Sequence, residues 1–153
     1  MKKILSMVMV IGMLAMAGSA MASGTNTLTV SASVTGTCKF VSGTSTLNFG
    51  ALDPSSSSDV NGSGTTTFWC TKGTTQTLSA GNGANWDGSK RNMLDTVSSD
   101  KIPYTLTLTP DGGTNQGPGS PRTLTINGTI LNADYISKTA GSYSDTVTLN
   151  ITP

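Results

Sequence analysis

The chain of 153 residues contains no histidine and no glutamate, and charged residues make up only 11% of it. Because histidine is absent, the usual general base and the commonest nitrogen ligand for metals are both missing. Because glutamate is absent, an oxygen-ligand calcium site would depend on Asp, Asn and backbone carbonyls. The composition therefore argues against an enzyme, and we predict no catalytic residue, no cofactor and no metal site.

Aspartate is the remaining source of carboxylate chemistry, but no spacing selects two aspartates as an acid–base pair. Most of the eight acidic residues lie beside Gly, Ser or Asn, where Asp favours turns. Residues 82–88 have the composition of a calcium loop but lack the closing bidentate glutamate of an EF-hand, so turn chemistry explains them better. The eight are Asp53, Asp59, Asp87, Asp95, Asp100, Asp111, Asp134 and Asp145.

Cysteine is scarce as well, and Cys38 and Cys70 are the two present. An even number of cysteines in an exported chain normally forms disulfides. We therefore predict a structural Cys38–Cys70 disulfide, which would stabilise the fold by roughly 3 to 4 kcal/mol on the chain-entropy model. A redox-active pair is the alternative, but redox pairs are usually closely spaced and activated by a neighbouring helix or base.

The first 22 residues have the three regions of a secretory signal peptide. The chain begins Met-Lys-Lys, residues 4–16 are apolar, and residues 20–22 (Ala-Met-Ala) give the small-x-small cleavage pattern. The apolar stretch is shorter than the ~20 residues that span a bilayer, which disfavours a transmembrane anchor. We predict cleavage between Ala22 and Ser23, which leaves one domain of 153 − 22 = 131 residues with a net charge of 7 − 8 = −1. This charge indicates no nucleic-acid partner.

Alternating apolar and polar residues recur along the rest of the chain and predict strands with one buried face. The clearest run covers residues 27–35, and shorter runs lie at 105–108 and 124–126. The chain closes with a predicted last strand from Asp145 to Ile151. Together these runs indicate about seven short strands, which is typical of a β-sandwich.

Three segments between the runs predict loops, since they are rich in Gly, Ser, Pro, Asn or Asp. They are residues 53–64, 81–91 and 110–121. Two aromatic residues also receive a prediction. Tyr143, just before the last strand, could be a surface binding residue, but its position predicts that it pins a corner of the sandwich. Trp86, in a Gly- and Asn-rich loop, is the aromatic residue for which exposure is an alternative, and packing in the core is the favoured prediction.

A series of short motifs in a fixed order resembles the spore coat protein U domain, which is shared with the major subunits of archaic chaperone-usher pili. The resemblance runs from about Asn26 to Ile151 and is weakest at 107–122 and 131–139. The motifs that carry it, besides the two cysteines, are Leu47-Asn48-Phe49-Gly50, Asp53-Pro54, Leu78-Ser79-Ala80-Gly81, Arg91-Asn92-Met93, Ile102-Pro103-Tyr104-Thr105-Leu106, Ile126-Asn127-Gly128 and Gly141-Ser142-Tyr143-Ser144-Asp145-Thr146-Val147.

The resemblance implies an all-β, incomplete immunoglobulin-like β-sandwich that is completed by a donor strand from another subunit. A periplasmic chaperone fills the open groove first, and an outer-membrane usher then lets the N-terminal strand of the next copy replace it, by β-strand addition. The implied organisation is a signal peptide at 1–22, a donor-strand segment at 23–36 and the pilin-type domain at 37–153. The implied route is export to the periplasm and then to the cell surface of a Gram-negative bacterium.

The resemblance also implies roles for two sets of apolar residues. Leu28, Val30, Ala32 and Val34 would insert into a neighbour's groove as the donor strand. Val147, Leu149 and Ile151 of the last strand would line the chain's own groove. The alternative is that residues 27–35 form the first strand of the chain's own sheet.

The function predicted in this way is structural: a subunit of a surface pilus that supports adhesion or biofilm formation, with no small-molecule substrate. A spore-coat or other surface-coat protein of the same family that forms no pilus is the alternative. Neighbouring chaperone and usher genes would separate the two. A tip adhesin would need an extra binding domain, for which 131 residues leave no room.

Overall fold

A computed structural model describes residues 23–153, so the predicted signal peptide at 1–22 and Ala22 at its cleavage site lie outside the described residues. The chain divides into two units, residues 1–33 and residues 34–153. The described part of the first unit, residues 23–33, contains no assigned strand or helix and is exposed throughout. No strand is assigned within residues 27–35, which differs from the alternative prediction that they form the first strand of the chain's own sheet.

The second unit is built almost entirely from antiparallel strands. Six strands form one sheet in the order β1-β2-β6-β5-β4-β7, and β3 pairs with β8 in a second. The strands are β1 Cys38–Phe40, β2 Val60–Cys70, β3 Thr77–Ala80, β4 Arg91–Asp95, β5 Lys101–Pro110, β6 Arg122–Ile130, β7 Tyr143–Ser144 and β8 Leu149–Thr152, and a short helix α1 spans Asn132–Tyr135. The predicted all-β class is confirmed, and the architecture agrees with an immunoglobulin-like fold.

The core lies on the inner face of the larger sheet because apolar side chains alternate with threonines along its central strands. On β6 the inward residues are buried, whereas Thr123, Thr125 and Thr129 between them are more exposed. On β2 the buried inward residues include Thr66 as well as Phe68 and Cys70. Removing these apolar side chains from water is the main stabilising contribution, at roughly 25 cal/mol per Å². Two clusters form the core: Phe68, Cys70, Leu124 and Ile126 in one, and Ile102, Tyr104, Ile130 and Tyr135 in the other.

Cys38 and Cys70 form a disulfide between the first two strands, with an S–S distance of 1.99 Å. The two residues are directly opposite each other in the β1–β2 register. Cys70 is fully buried beside Phe68. The bond therefore joins the short edge strand β1 to the core of the domain, immediately after the exposed N-terminal segment.

The predicted loop at 53–64 is wrong in its second half, because residues 60–64 belong to β2. The Gly and Asn residues there look like turn signals in the sequence. In the structure Gly62 lies inside the sheet, directly opposite Gly128 of β6. Both glycines are buried, and another segment of the chain packs over them.

The predicted last strand from Asp145 to Ile151 is also corrected, since residues 145–148 are not assigned to a strand. The main chain here forms hydrogen bonds on one side: Gly81 N donates to Thr148 O at 2.8 Å, and Ala84 N donates to Thr146 O at 3.0 Å. A regular ladder resumes at Leu149, where β8 pairs with β3. On their other edge, residues 145–148 have no main-chain hydrogen-bond partner among the described residues.

Candidate functional site

The main feature of the second unit is an open apolar groove on the inner face of the larger sheet. Its central cavity is about 250 Å³. Two extended segments form its sides: the first wall, residues 45–49, and the second wall, residues 143–149. The floor between them is formed by Met93, Tyr104, Leu106 and Ile126.

A second cavity of about 550 Å³ continues the groove past the first wall. The two cavities share Leu47, Phe49, Met93 and Tyr143. The second reaches Ile102 and Tyr135 of the core, so apolar surface is accessible along a considerable length. An uncovered apolar surface beside free strand edges is a place where another β-strand can pair.

The first wall is held by apolar contacts. Leu47 and Phe49 are half-buried, whereas Thr46 and Asn48 between them are exposed. The ring of Phe49 packs edge-on against Tyr104, with centroids 6.1 Å apart and an interplanar angle of 63°. Among the described residues, no main-chain hydrogen bond links 45–49 to a neighbouring strand. This wall therefore presents an unpaired extended edge.

The second wall is held by hydrogen bonds centred on Asp145. Its carboxylate accepts from the Tyr104 hydroxyl at 2.7 Å, and from the main-chain and side-chain nitrogens of Asn85 at 3.1 and 3.2 Å. The amide of Asn85 also donates to Ser144 O at 3.1 Å. These bonds fix the wall to the floor of the groove on one side and to the loop at 81–90 on the other.

Burial of Tyr104, together with its hydrogen bond to Asp145, raises the pKa of the tyrosine well above its usual range. The hydroxyl therefore keeps its proton and remains a donor to Asp145 at any physiological pH. Because a hydrogen bond to a carboxylate is stronger than one between neutral groups, this contact is a firm attachment of the second wall to β5.

The two aromatic residues singled out in the sequence, Tyr143 and Trp86, have different environments in the structure. The Tyr143 hydroxyl donates to Thr139 O at 2.6 Å, a bond to the backbone a few residues upstream that pins the corner before the second wall. Trp86 is 37% exposed, so the prediction that it fills the core is wrong. It lies instead in a Gly- and Asn-rich loop at the edge of a surface depression.

The residues predicted for the groove are placed as follows. Val147 and Leu149 line the central cavity. Ile151 is half-buried, lies opposite Leu78 in the β3–β8 pair, and packs on the cluster around Phe68 instead of lining the cavity. The groove residues predicted from the sequence therefore include two residues of the second wall and none of the first wall or the floor.

The first wall and the floor were not predicted, although the sequence carries a signal for them. Leu47 and Phe49 alternate with polar residues in a motif that supported the family resemblance without being given a role. Tyr104 and Leu106 belong to another such motif. Their contribution to one groove depends on strand order, which local patterns do not contain.

The predicted donor residues are fully accessible. Leu28 and Val30, in the first unit, are 82% and 83% exposed, and Ala32 in the same segment is exposed too. Val34, at the start of the second unit, is 85% exposed. Exposed apolar side chains in a regular alternation are unusual for a segment that folds alone, and they are typical of a segment that adds to another sheet.

Two other kinds of site were sought in residues 23–153. No group of three or more metal-ligating Cys or Asp side chains comes together there. Within the same range, no helix has the length and apolar character needed to cross a membrane.

The fold and the groove together define a structural class: an immunoglobulin-like domain whose core is open along one side. The sequence model of the Spore Coat Protein U domain matches residues 24–150, so the chain belongs to this family. The family is one of structural domains of surface assemblies and not of enzymes. A search of the curated proteins finds no match to this chain.

Proposed function

We propose that this protein is a subunit of a surface pilus that the chaperone-usher pathway assembles by donor-strand exchange. The open groove between the two walls carries the proposal. Its floor is apolar and its walls offer free main-chain edges, which is the arrangement that an added β-strand recognises. Main-chain hydrogen bonds to the walls would supply affinity, and alternate side chains in the groove would supply specificity.

The N-terminal segment at 23–36 has the properties of the strand that would fill this groove in a neighbouring copy. Leu28, Val30, Ala32 and Val34 lie two residues apart, so an extended segment presents them on one face. At about 3.3 Å per residue, residues 23–36 reach roughly 45 Å, and residues 143–151 span roughly 30 Å. The segment is therefore long enough to follow the second wall along its length.

The point where the donor segment leaves the domain is fixed by contacts within the second unit. Thr37 N donates to the Thr71 hydroxyl at 3.0 Å, and Thr71 N donates to Thr37 O at 2.8 Å. The Cys38–Cys70 disulfide follows directly. Since residues near this point are tethered, we assign the main anchoring role to Leu28 and Val30 and a smaller one to Val34.

The proposed partners are a periplasmic chaperone, an outer-membrane usher and further copies of this chain or related pilins. Family membership supports a surface assembly, and the signal-peptide pattern at 1–22 supports export. In a Gram-negative bacterium the chaperone would shield the groove in the periplasm until the usher exchanges it for the donor. The finished fibre would serve adhesion or biofilm formation.

A charge in the donor strand tests the proposal in the source bacterium. Val30→Arg places a charged side chain where an apolar one must be buried, so we expect loss of fibres in electron micrographs while the subunit still accumulates folded in the periplasm. Ser31→Arg is the matched control, because the neighbouring position points away from the groove in an alternating strand. Normal fibres from Val30→Arg would contradict the donor assignment.

Removal of the donor segment gives an independent test. Without residues 23–36 the domain should aggregate unless the chaperone is present or the segment is appended after Pro153, whose side chain lies close to Gly36. A truncated chain that remains a stable soluble monomer by itself would show that the groove needs no occupant. In that case a coat protein that forms no donor-linked fibre becomes the better account.

A further inference from the structure

Three glycines lie inside two neighbouring strands of the larger sheet: Gly62 and Gly64 on β2, and Gly128 on β6. Glycine in a strand interior weakens the strand, and it often marks a place where another segment approaches closely. None of the three has a positive φ, so the backbone conformation does not require glycine at these positions. The reason must be space above the sheet.

The space above these glycines is filled by the first wall of the groove. A Cβ at Gly128 would lie 2.6 Å from Cζ of Phe49, and a Cβ at Gly62 would lie 3.0 Å from Cδ2 of Leu47. A Cβ at Gly64 would overlap the main-chain carbonyl oxygen of Thr46. The three positions therefore form a bare strip, here called the glycine track, on which the wall lies.

We infer that Gly62, Gly64 and Gly128 are positioning residues for the donor strand, because the glycine track sets the distance between the first wall and the floor. The inference depends on the proposed function. No main-chain hydrogen bond holds 45–49 to a neighbouring strand among the described residues, so this contact with the track determines where the wall lies. A donor strand pairs well only when the edge it meets is about 4.7 to 4.9 Å away.

The inference predicts that a single methyl group on the track weakens donor binding. At Gly64 the methyl would displace main-chain atoms, which cannot rotate away as the end of a side chain can. Lifting the wall would separate Leu47 and Phe49 from the floor and misplace the edge. Because overpacking of this kind is destabilising, we expect roughly tenfold faster dissociation of the donor, which corresponds to about 1.4 kcal/mol.

The experiment uses the full chain, exported and oxidised, with a fluorescent synthetic peptide of residues 24–36 as the donor. Peptide dissociation rates and thermal midpoints, with and without saturating peptide, are measured for the unaltered chain and for Gly64→Ala. Ser63→Ala is the matched control, since it lies on the same strand but faces outward. We expect the control to dissociate within about twofold of the unaltered chain, because surface substitutions rarely change stability much.

A compensating pair keeps the test valid if Gly64→Ala does not fold. In Gly128→Ala the added methyl group overlaps Cζ of the Phe49 ring, and Phe49→Leu removes that atom. The donor peptide should then dissociate from the double variant at the same rate as from Phe49→Leu alone. From Gly128→Ala alone it should dissociate faster than from the unaltered chain. A purely structural glycine would show this recovery in the thermal midpoint alone, with the dissociation rate unchanged by Gly128→Ala.

The outcomes separate this inference from the proposed function. If the unaltered chain does not bind the peptide, the proposed function fails and this inference fails with it. If the unaltered chain binds and Gly64→Ala and Gly128→Ala dissociate at its rate, the positioning role alone is overturned. A lower thermal midpoint with an unchanged dissociation rate would overturn it as well, because the glycines would then serve only stability.

Discussion

The two walls of the groove have similar alternating sequences, but they are attached to the domain in different ways. The first wall, 45–49, rests on the sheet through Leu47 and Phe49 and has no main-chain bond to a neighbouring strand among the described residues. The second wall, 143–149, is tied through Asp145 to Tyr104 and Asn85. One wall is therefore positioned by shape and the other by directional hydrogen bonds.

This difference bears on how a groove can receive a strand and still hold it in register. A wall attached by apolar contact can shift slightly without leaving buried polar groups unpaired. A wall attached by several hydrogen bonds to a carboxylate resists such a shift, because breaking them leaves polar groups unsatisfied. We expect the second wall to define the register of the proposed donor and the first wall to adapt to its side chains.

The largest expected difference between the walls is in amide hydrogen exchange of the unoccupied chain. The amides of residues 46–49 should exchange nearly freely, whereas those of Gly81 and Ala84, which donate to the second wall, should be protected on the order of a hundredfold more. Mass spectrometry or NMR of the exchanged chain measures this. Equal protection of both sets would remove the distinction between the walls.

Removal of the Asp145 carboxylate should release the second wall. Asp145→Ala leaves the Tyr104 hydroxyl and the Asn85 nitrogens without their acceptor, which we expect to lower the free energy of unfolding by about 2 kcal/mol. Asp145→Asn is the control, since its amide oxygen can still accept, and it should lose about half as much. Urea unfolding measures both, and identical losses would show that the charge does not matter.

A smaller effect is expected from Tyr104→Phe, which removes a single bond of the second wall and should cost about 1 kcal/mol near neutral pH. Because the pKa of Tyr104 is raised in the folded state, the free energy of unfolding also depends on pH. Below about pH 10 the tyrosine is protonated in both states and its contribution is complete; above that pH the unfolded tyrosine ionises first, so stability falls as the pH rises. The stability of Tyr104→Phe should fall less steeply at alkaline pH than that of the unaltered chain. An equally steep fall would show that ionisation of Tyr104 is not its cause.

The smallest expected effect concerns Asp87, in the loop that is attached to the second wall through Asn85. Hydrogen bonds from the Lys90 amide first, and then from the Asn92 side chain, lower the pKa of Asp87 from 3.8 to about 2. A lowered pKa contributes stability above the unfolded value, and this contribution is lost as the pH falls from about 4 to about 2. Asp87→Asn should therefore be slightly less stable than the unaltered chain at neutral pH and should have a flatter acid limb in urea unfolding.

Much of the fold could be predicted from the sequence because it depends on local periodicity. Alternation in 105–108 and 124–126 marks β5 and β6, and the scarcity of any helical stripe excludes a helical domain. The glycines at 60–64 misled the prediction, because glycine is both a turn residue and a residue of close approach. Which of the two applies depends on whether another segment lies above it, as residues 46–49 do here.

Part of the groove could be predicted from the sequence, and the rest could not, because it also depends on segments that meet only in the folded chain. Val147 and Leu149 follow from the alternation of the last strand combined with the family resemblance. The first wall and the floor come from residues far apart in the chain, such as Phe49 and Tyr104, whose rings meet only after the strands have assembled. Asp145 likewise looked like a turn residue, although it anchors the second wall.

By itself, the sequence determined an all-β chain with two cysteines, a signal-peptide pattern followed by a regular alternation, and membership of a structural family. These properties depend on composition and on the periodicity of nearby residues, and both can be obtained directly from the sequence. The tertiary structure decided that residues 27–35 are left out of the chain's own sheet and that the core stays open between two walls. Those features arise from which strands become neighbours, and strand order is a property of long-range packing that no local pattern contains.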